Sequence, residues 1–344
     1  MEMGRWGVRQ TFFVVCLAAG ALVVGVQPGW SSETLEGEAE TSPGPLAGVP
    51  VPTMGGLQLW ADEVLFHGWR IQRNVTDDTY RLLDGNYLRH ALGTFQQCRA
   101  RLEEIRDDRK LPAMQGKAVV VLHGLWRTRN SMLLLARHLE RESDYTVFNV
   151  GYPTTRQGIG EHAAALAKII ANLDGIEEIN FVAHSLGNIV IRRYLADQTD
   201  EAAGRTADPR IKRFVMLGPP NHGSIAASSL AENRVFSAVT GKTGQELGRE
   251  WAWLESDLAT PRCEFGIIAG GLGNEQGFNP LLPGDDDGVV TVESTRLAGA
   301  ADFLVVPVVH TLLITNRSVM EHTVRFLEHG HFVSAAEREP VERE

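Results

Sequence analysis

The stretch from Ile179 to Leu195 constrains this chain more than any other part of it. An apolar strand pattern, Ile179-Asn180-Phe181-Val182, runs into Ala183-His184-Ser185-Leu186-Gly187, and an apolar helical pattern continues from Leu186 to Leu195. A strand that turns straight into a helix at a serine must fold the helix back over the strand. The tight turn between them pushes the serine hydroxyl out at the top of a sheet. Residues flanking that serine must be small, because helix and strand lie close together. Gly187 meets the demand on one side, and Ala183, the next smallest residue, meets it on the other.

The rest of the chain predicts the sheet that such a turn needs. Strand patterns at Ala118–Leu122, Tyr145–Val150, Phe214–Leu217, Glu264–Ile268 and Phe303–Val309 alternate with helical patterns at Ser131–Glu142, Gly160–Leu173 and Val319–Leu327. Alternation of this kind predicts an α/β fold, a mostly parallel, doubly wound sheet with helices on both faces. Ahead of it, Leu57–Asn74 and Tyr80–Leu83 alternate apolar with polar residues, and Thr94–Arg109 is amphipathic with Phe95, Cys98, Leu102 and Ile105 on one face. These predict a small β-hairpin or meander plus helix, an appendage over residues 54–112. The main domain is expected at 113–334, with a short helical cap at 223–261 and a disordered tail at 335–344.

Composition excludes some partners. The 344 residues are 43% hydrophobic and 22% charged, an ordinary globular mixture. A net charge of −10 leaves no basic surplus to neutralise phosphates, which argues against nucleic acid. Arg5 and Arg9 precede an apolar run from Thr11 to Val26. This has the form of a secretory signal and is short for a spanning helix. Residues 1–30 are thus expected to direct export to the periplasm or medium, with cleavage near Gln27–Ser32. Uncleaved, they would be a membrane anchor. The polar, Pro- and Gly-rich residues 31–53 predict a disordered linker. Cys98 and Cys263 either pair or stay buried thiols, and the oligomeric state has no signature in the sequence.

A serine hydroxyl needs a base to take its proton, and the base needs a carboxylate to orient it. His310, at the end of the Phe303–Val309 strand, is the candidate base; His322 and His329 fall in the last helix. Asp285-Asp286-Asp287-Gly288-Val289-Val290 supplies the acid. Asp287 is favoured because it directly precedes glycine and an apolar pair, at the inner edge of its loop. Asp285 and Asp286 are expected in solvent, where their hard oxygens could also meet calcium. Two backbone N–H groups are needed for the developing oxyanion. Leu186, at the positive end of its helix, is one; Leu125, after the turn at Gly124, is the other. His123 is expected to brace that loop, and His184 to pack behind Ser185.

Val121-Leu122-His123-Gly124-Leu125, Ala183-His184-Ser185-Leu186-Gly187, Pro219-Pro220-Asn221-His222-Gly223-Ser224, Asp287-Gly288-Val289-Val290 and His310 occur in one order. Together they resemble the bacterial lipase and esterase branch of the α/β-hydrolase fold, over about Lys117 to Phe332. Ala183 stands where a first glycine is usual, and Val309 where glycine often precedes the histidine. The resemblance implies hydrolysis of lipid or other acyl esters through an acyl-serine, with no cofactor and no metal. It also implies that the Pro-Asn-His-Gly-Ser segment leads into the cap, whose Ile225, Leu230, Val235, Phe236 and Val239 either line an acyl pocket or simply pack a helical excursion onto the sheet. The same triad could serve a thioesterase, amidase or acyltransferase. A non-catalytic binding protein on this fold would be expected to lack one of the three residues.

Overall fold

The computed structural model describes residues 51–52, 57–199, 206–224 and 234–343. The expected signal, most of the linker and the five cap side chains just named lie outside the described residues and side chains. Residues 45–344 form one compact unit.

The unit opens with a five-stranded antiparallel sheet. Its strands are β1 (Val51–Pro52), β2 (Trp60–Phe66), β3 (Trp69–Asn74), β4 (Tyr80–Leu83) and β5 (Leu88–Gly93), in the order β1-β5-β4-β3-β2. The sequence pattern had predicted β2 to β4 but not β5, where only His90 is buried, so no alternation marks it. Residues at the end of the expected linker pair with β5, Val51 opposite Arg89 and Pro52 opposite Leu88. A bulge between Asp62 and Val64 breaks the β2 alternation. Asp62 and Glu63 are both buried, and each is neutralised: Arg70 lies 2.7 Å from Asp62, and Arg73 and Lys168 each lie 2.8 Å from Glu63.

Helix α1 (Phe95–Arg109) follows. Thr94 accepts from the Gln97 N–H and the Gln97 side chain accepts from the Thr94 N–H, a capping box that satisfies two orphan donors. Cys98, Leu102 and Ile105 face inward, as their spacing predicts. Cys98 and Cys263 are free thiols, both pushed up to about 12 by burial.

The main sheet is wholly parallel, with six strands: β6 (Gly116–Leu122), β7 (Thr146–Val150), β8 (Ile176–His184), β9 (Ile211–Leu217), β10 (Glu264–Gly270) and β11 (Asp302–Val306). The order is β11-β10-β9-β8-β6-β7. The chain passes from β6 out to β7, then returns to β8 on the other side of β6. This reversal opens a crevice at the carboxyl ends of β6 and β8, the switch point where open α/β sheets bind ligands. Alternate residues of β6 serve opposite cores. Ala118, Val120 and Leu122 join one cluster with α3 (Ile159–Ala171) and α4 (Leu186–Gln198). Val119 and Val121 join another with α2 (Leu133–Glu142) and α8 (Arg317–His329). The cap contains α5 (Arg234–Gly248) and α6 (Trp251–Ser256), and a single turn, α7 (Val292–Thr295), precedes β11.

The residues expected to form a loose tail are held instead. The Val341 N–H donates to Ala300, the Gly299 N–H donates to Val341, and buried Asp302 accepts from the Glu339 and Phe332 N–H groups. Among the described residues no helix is long and apolar enough to cross a membrane.

Gly266 in β10 lies under α8. A Cβ there would sit 2.4 Å from Phe326 and 2.7 Å from Phe332. Gly266→Ala is therefore expected to destabilise the fold by about 1–3 kcal/mol through overpacking, read as a lower Tm in thermal melts.

Candidate active site

Ser185 sits between β8 and α4 with φ 53° and ψ −120°, a left-handed backbone that a non-glycine residue adopts only under constraint. Three contacts supply the constraint. The Ser185 N–H donates to Leu217 at 3.0 Å, tying the turn to β9. The Ser185 carbonyl accepts from the Asn188 N–H and side chain, each at 3.0 Å. Helix α4 then crosses β6 at Gly187, where a Cβ would lie 2.9 Å from the Leu122 carbonyl and 3.0 Å from that of His123. A side chain at 187 is thus excluded by backbone, which cannot move aside.

Asp287 and His310 meet across the carboxyl ends of β10 and β11. His310 Nδ1 donates to Asp287 Oδ2 at 2.6 Å, and the His310 N–H donates to the Asp287 carbonyl at 2.8 Å. Asp287 is 1% exposed, and its Oδ1 accepts from the N–H groups of Val289 at 3.0 Å and Val290 at 2.7 Å. A carboxylate only accepts, so Nδ1 carries the proton and Nε2 keeps a free lone pair. The pair is pressed by two glycines that pattern-reading missed. A Cβ on Gly218 would lie 3.1 Å from His310 Nδ1, and one on Gly270 would lie 2.7 Å from Asp287 Cβ.

The three acidic residues have three separate tasks. Asp285 accepts from Leu272 and Gly273 N–H at 2.7 and 2.8 Å. Asp286 was expected in solvent but is 0% exposed; it accepts from Gly288 at 2.6 Å and Asn279 at 3.0 Å. Burial pushes its carboxyl above the usual range. The oxygens once open to a cation are thus taken up by loop backbone.

His184 links the turn to His310. Its ring centroid is 4.7 Å from that of His310, and its Nε2 donates to the His310 carbonyl at 3.0 Å. Among the described residues the Ser185 hydroxyl makes no hydrogen bond of its own. Gly124 packs on the same turn: a Cβ there would lie 3.0 Å from His184 Nδ1 and 3.1 Å from Ser185 Cβ. The adjoining Leu125 N–H and the Leu186 N–H have no acceptor among the described residues. His123 stacks on Tyr152 at 4.3 Å and 18°.

The Pro-Asn-His-Gly-Ser segment is clamped from α4. Buried Arg192 donates to the Asn221 carbonyl at 3.2 Å, to its side chain at 3.1 Å and to Ala259 at 3.0 Å. Burial lowers its guanidinium to about 10. Farther on, Glu255 joins His222 at 2.8 Å and the Trp251 indole N–H at 3.0 Å, holding α6 against the segment.

A parallel sheet with this order, a serine on the turn after β8, and an Asp–His pair after β10 and β11 define the α/β-hydrolase fold. Residues 114–250 match the family model described as "Putative serine esterase (DUF676)". Fold and match agree with the lipase and esterase branch. No curated protein matches the sequence. Among solved structures, the lin2722 product of Listeria innocua is 17% identical, with a TM-score of 0.43, covering 63% of this chain and 95% of that one. Bacillus licheniformis lipase BlEst2 is 18% identical, TM-score 0.41, covering 59% and 87%. Legionella pneumophila phospholipase PlaB, in complex with thio-NAD, is 20% identical, TM-score 0.41, covering 52% and 44%.

Three buried histidines make stability depend on pH. Burial lowers His123 to about 4, His162 to about 3 and His184 well below 6.5. Each folded value lies below the unfolded one, so the unfolded chain takes up protons first. Stability is full above about pH 6.5 and falls as pH drops toward the folded values, by up to about 1.4 kcal/mol per pH unit for each histidine. Denaturant melts from pH 7.5 to 4.5 are expected to show this fall, and His162→Gln to flatten its slope.

Proposed function

We propose that this chain hydrolyses carboxylic esters through an acyl-serine intermediate. The observation that carries the proposal is the 2.6 Å Asp287–His310 pair, whose base packs on the residue preceding a serine held in a left-handed turn. In this reaction the lone pair of His310 Nε2 takes the Ser185 proton as Oγ attacks the ester carbonyl. Asp287 holds the reactive tautomer and stabilises the imidazolium. The Leu125 and Leu186 N–H groups, free of other acceptors, receive the oxyanion. His310 then protonates the leaving alcohol, and water repeats the sequence on the acyl-enzyme. The Ser185–His310 hydrogen bond forms as substrate enters, since such bonds are commonly loose before binding. No step calls for a cofactor or metal.

Acyl or lipid esters are the favoured substrates. A groove of about 550 Å³, lined by Phe278, Pro307, Val308, Val309 and Leu312 with Thr315, Asn316 and Arg317 on its polar side, includes the two residues that precede His310 in the chain. Leu312, which lines it, is exposed, as are Leu272 and Leu281 on the loop after β10. The same triad would act on thioesters or amides, or transfer the acyl group, if the groove admitted another acceptor. The leading segment, with Arg5, Arg9 and its apolar run, supports export or anchoring in a membrane.

Hydrolysis of p-nitrophenyl esters of increasing acyl length tests the reading. Wild type is expected to prefer medium or long chains. Ser185→Ala should abolish turnover, and Asp287→Asn should lower kcat by about 10⁴-fold, because the wrong histidine tautomer is then held. Turnover that survives Ser185→Ala would refute the assignment.

A further inference from the structure

The N-terminal segment with its five-stranded sheet was expected to be an appendage, yet Gln58 and Tyr87, which flank its strands, touch the loop that carries Leu125, and β2 grips Gly151, which follows β7. Gln58, just ahead of β2, donates through Nε2 to the Arg127 carbonyl at 2.9 Å. Asp62 in β2 makes a two-bond clip on Gly151: its N–H donates to the Gly151 carbonyl at 2.9 Å, and its Oδ2 accepts the Gly151 N–H at 2.7 Å. The approach is close: a Cβ on Gly151 would lie 3.3 Å from Asp62 Oδ2 and 3.4 Å from Arg129 Cδ.

The residue after Gly151 carries the contact forward. Tyr152 donates its hydroxyl to the His123 carbonyl and stacks its ring on the His123 imidazole. Thr154, fully buried, accepts the Trp126 N–H at 3.1 Å. From the other side, the Tyr87 ring lies 4.3 Å from the Arg129 guanidinium. Between these supports Trp126 has φ 57°, a left-handed backbone in a bulky residue. Such a conformation persists only where its surroundings over-determine it. Inside the loop the Gly124 carbonyl meets the Arg127 N–H at 3.2 Å and His123 Nδ1 at 3.0 Å, and the contacts from Gln58, Thr154 and Tyr87 add to these from outside.

We propose that Gln58 and Asp62 are positioning residues for the oxyanion hole: the N-terminal sheet holds the 123–129 loop so that the Leu125 N–H faces Ser185. This rests on the reading of Leu125 as an oxyanion donor. The catalytic unit then begins at Gln58 rather than near residue 113. Asp62 is held rigid for this task, its Oδ2 taking Arg70 and its Oδ1 taking Gln72, each at 2.7 Å.

The test uses the full chain with Gln58→Met, which keeps length and removes the donor, and Asp62→Asn, which keeps shape and sets a donor against donors. Two rates are read: ester turnover, and labelling of Ser185 by a fluorophosphonate, whose phosphoryl oxygen enters the same hole. Gln58→Met is expected to lower kcat and the labelling rate in parallel, by about tenfold, and Asp62→Asn by more. KM and the pH midpoint of kcat/KM should stay at the wild-type values, because groove and base are untouched. Thermal melts on both variants separate this from unfolding. Labelling rates equal to wild type would overturn the proposal, as would a lower Tm with KM and pH midpoint shifting together. Wild type that labels at Ser185 but hydrolyses no ester would sink the esterase reading alone.

Discussion

The structure depends on one strained residue. Ser185 is held at φ 53°, a conformation that costs on the order of 1–3 kcal/mol and that the rest of the fold must offset. The compensation is burial. Ile189, Val190 and Ile191 of α4 are fully buried, and each apolar side chain of that size stabilises by about 1.5–3 kcal/mol relative to exposure. The helix can deliver that burial only by lying close on β6, which is why position 187 has no side chain. Strain at the serine and packing of the helix are two sides of one geometry.

The electrostatics of the site follow from what surrounds that turn. Asp287 is buried, yet its charge is met by two backbone N–H groups and an imidazole N–H. Buried polar groups are tolerated when so satisfied. His184, packed on His310, stays neutral because burial disfavours its cation, so it adds no positive charge to the pair. Its hydrogen bond to the His310 carbonyl adds a third hold on His310, after those of Asp287 on the ring and on the N–H. Asp285 and Asp286 shape the loop that delivers Asp287, Asp286 from full burial and Asp285 from a half-buried position.

Much of this was legible in advance. The strands of the main sheet are covered on both faces, so they stand out as apolar runs, and their helices carry a clear 3.6-residue period. Ser185, Asp287 and His310 could be picked out because each directly adjoins such a run. The legible part ended where local pattern ended. β5 buries one histidine and lacks alternation. Burial of Asp286 needed the facing N–H groups of Gly288 and of Asn279, seven residues away. The last residues looked polar and loose, yet Asp302, thirty-seven positions from Glu339, holds them.

Chain order, strand and helix types, and the small residues at the turn are local properties, set by steric fit and hydrophobic period along consecutive residues. They were sufficient to place a serine at the head of a parallel sheet. Which carboxylate meets which imidazole, and that residues near Gln58 and Asp62 reach the loop at Leu125, are contacts between segments far apart in the chain. Gln58 and Arg127 are 69 positions apart, Asp62 and Gly151 are 89. No periodicity encodes such pairings; they arise when two sheets pack, because each buried polar group must then find a partner in whatever backbone lies opposite.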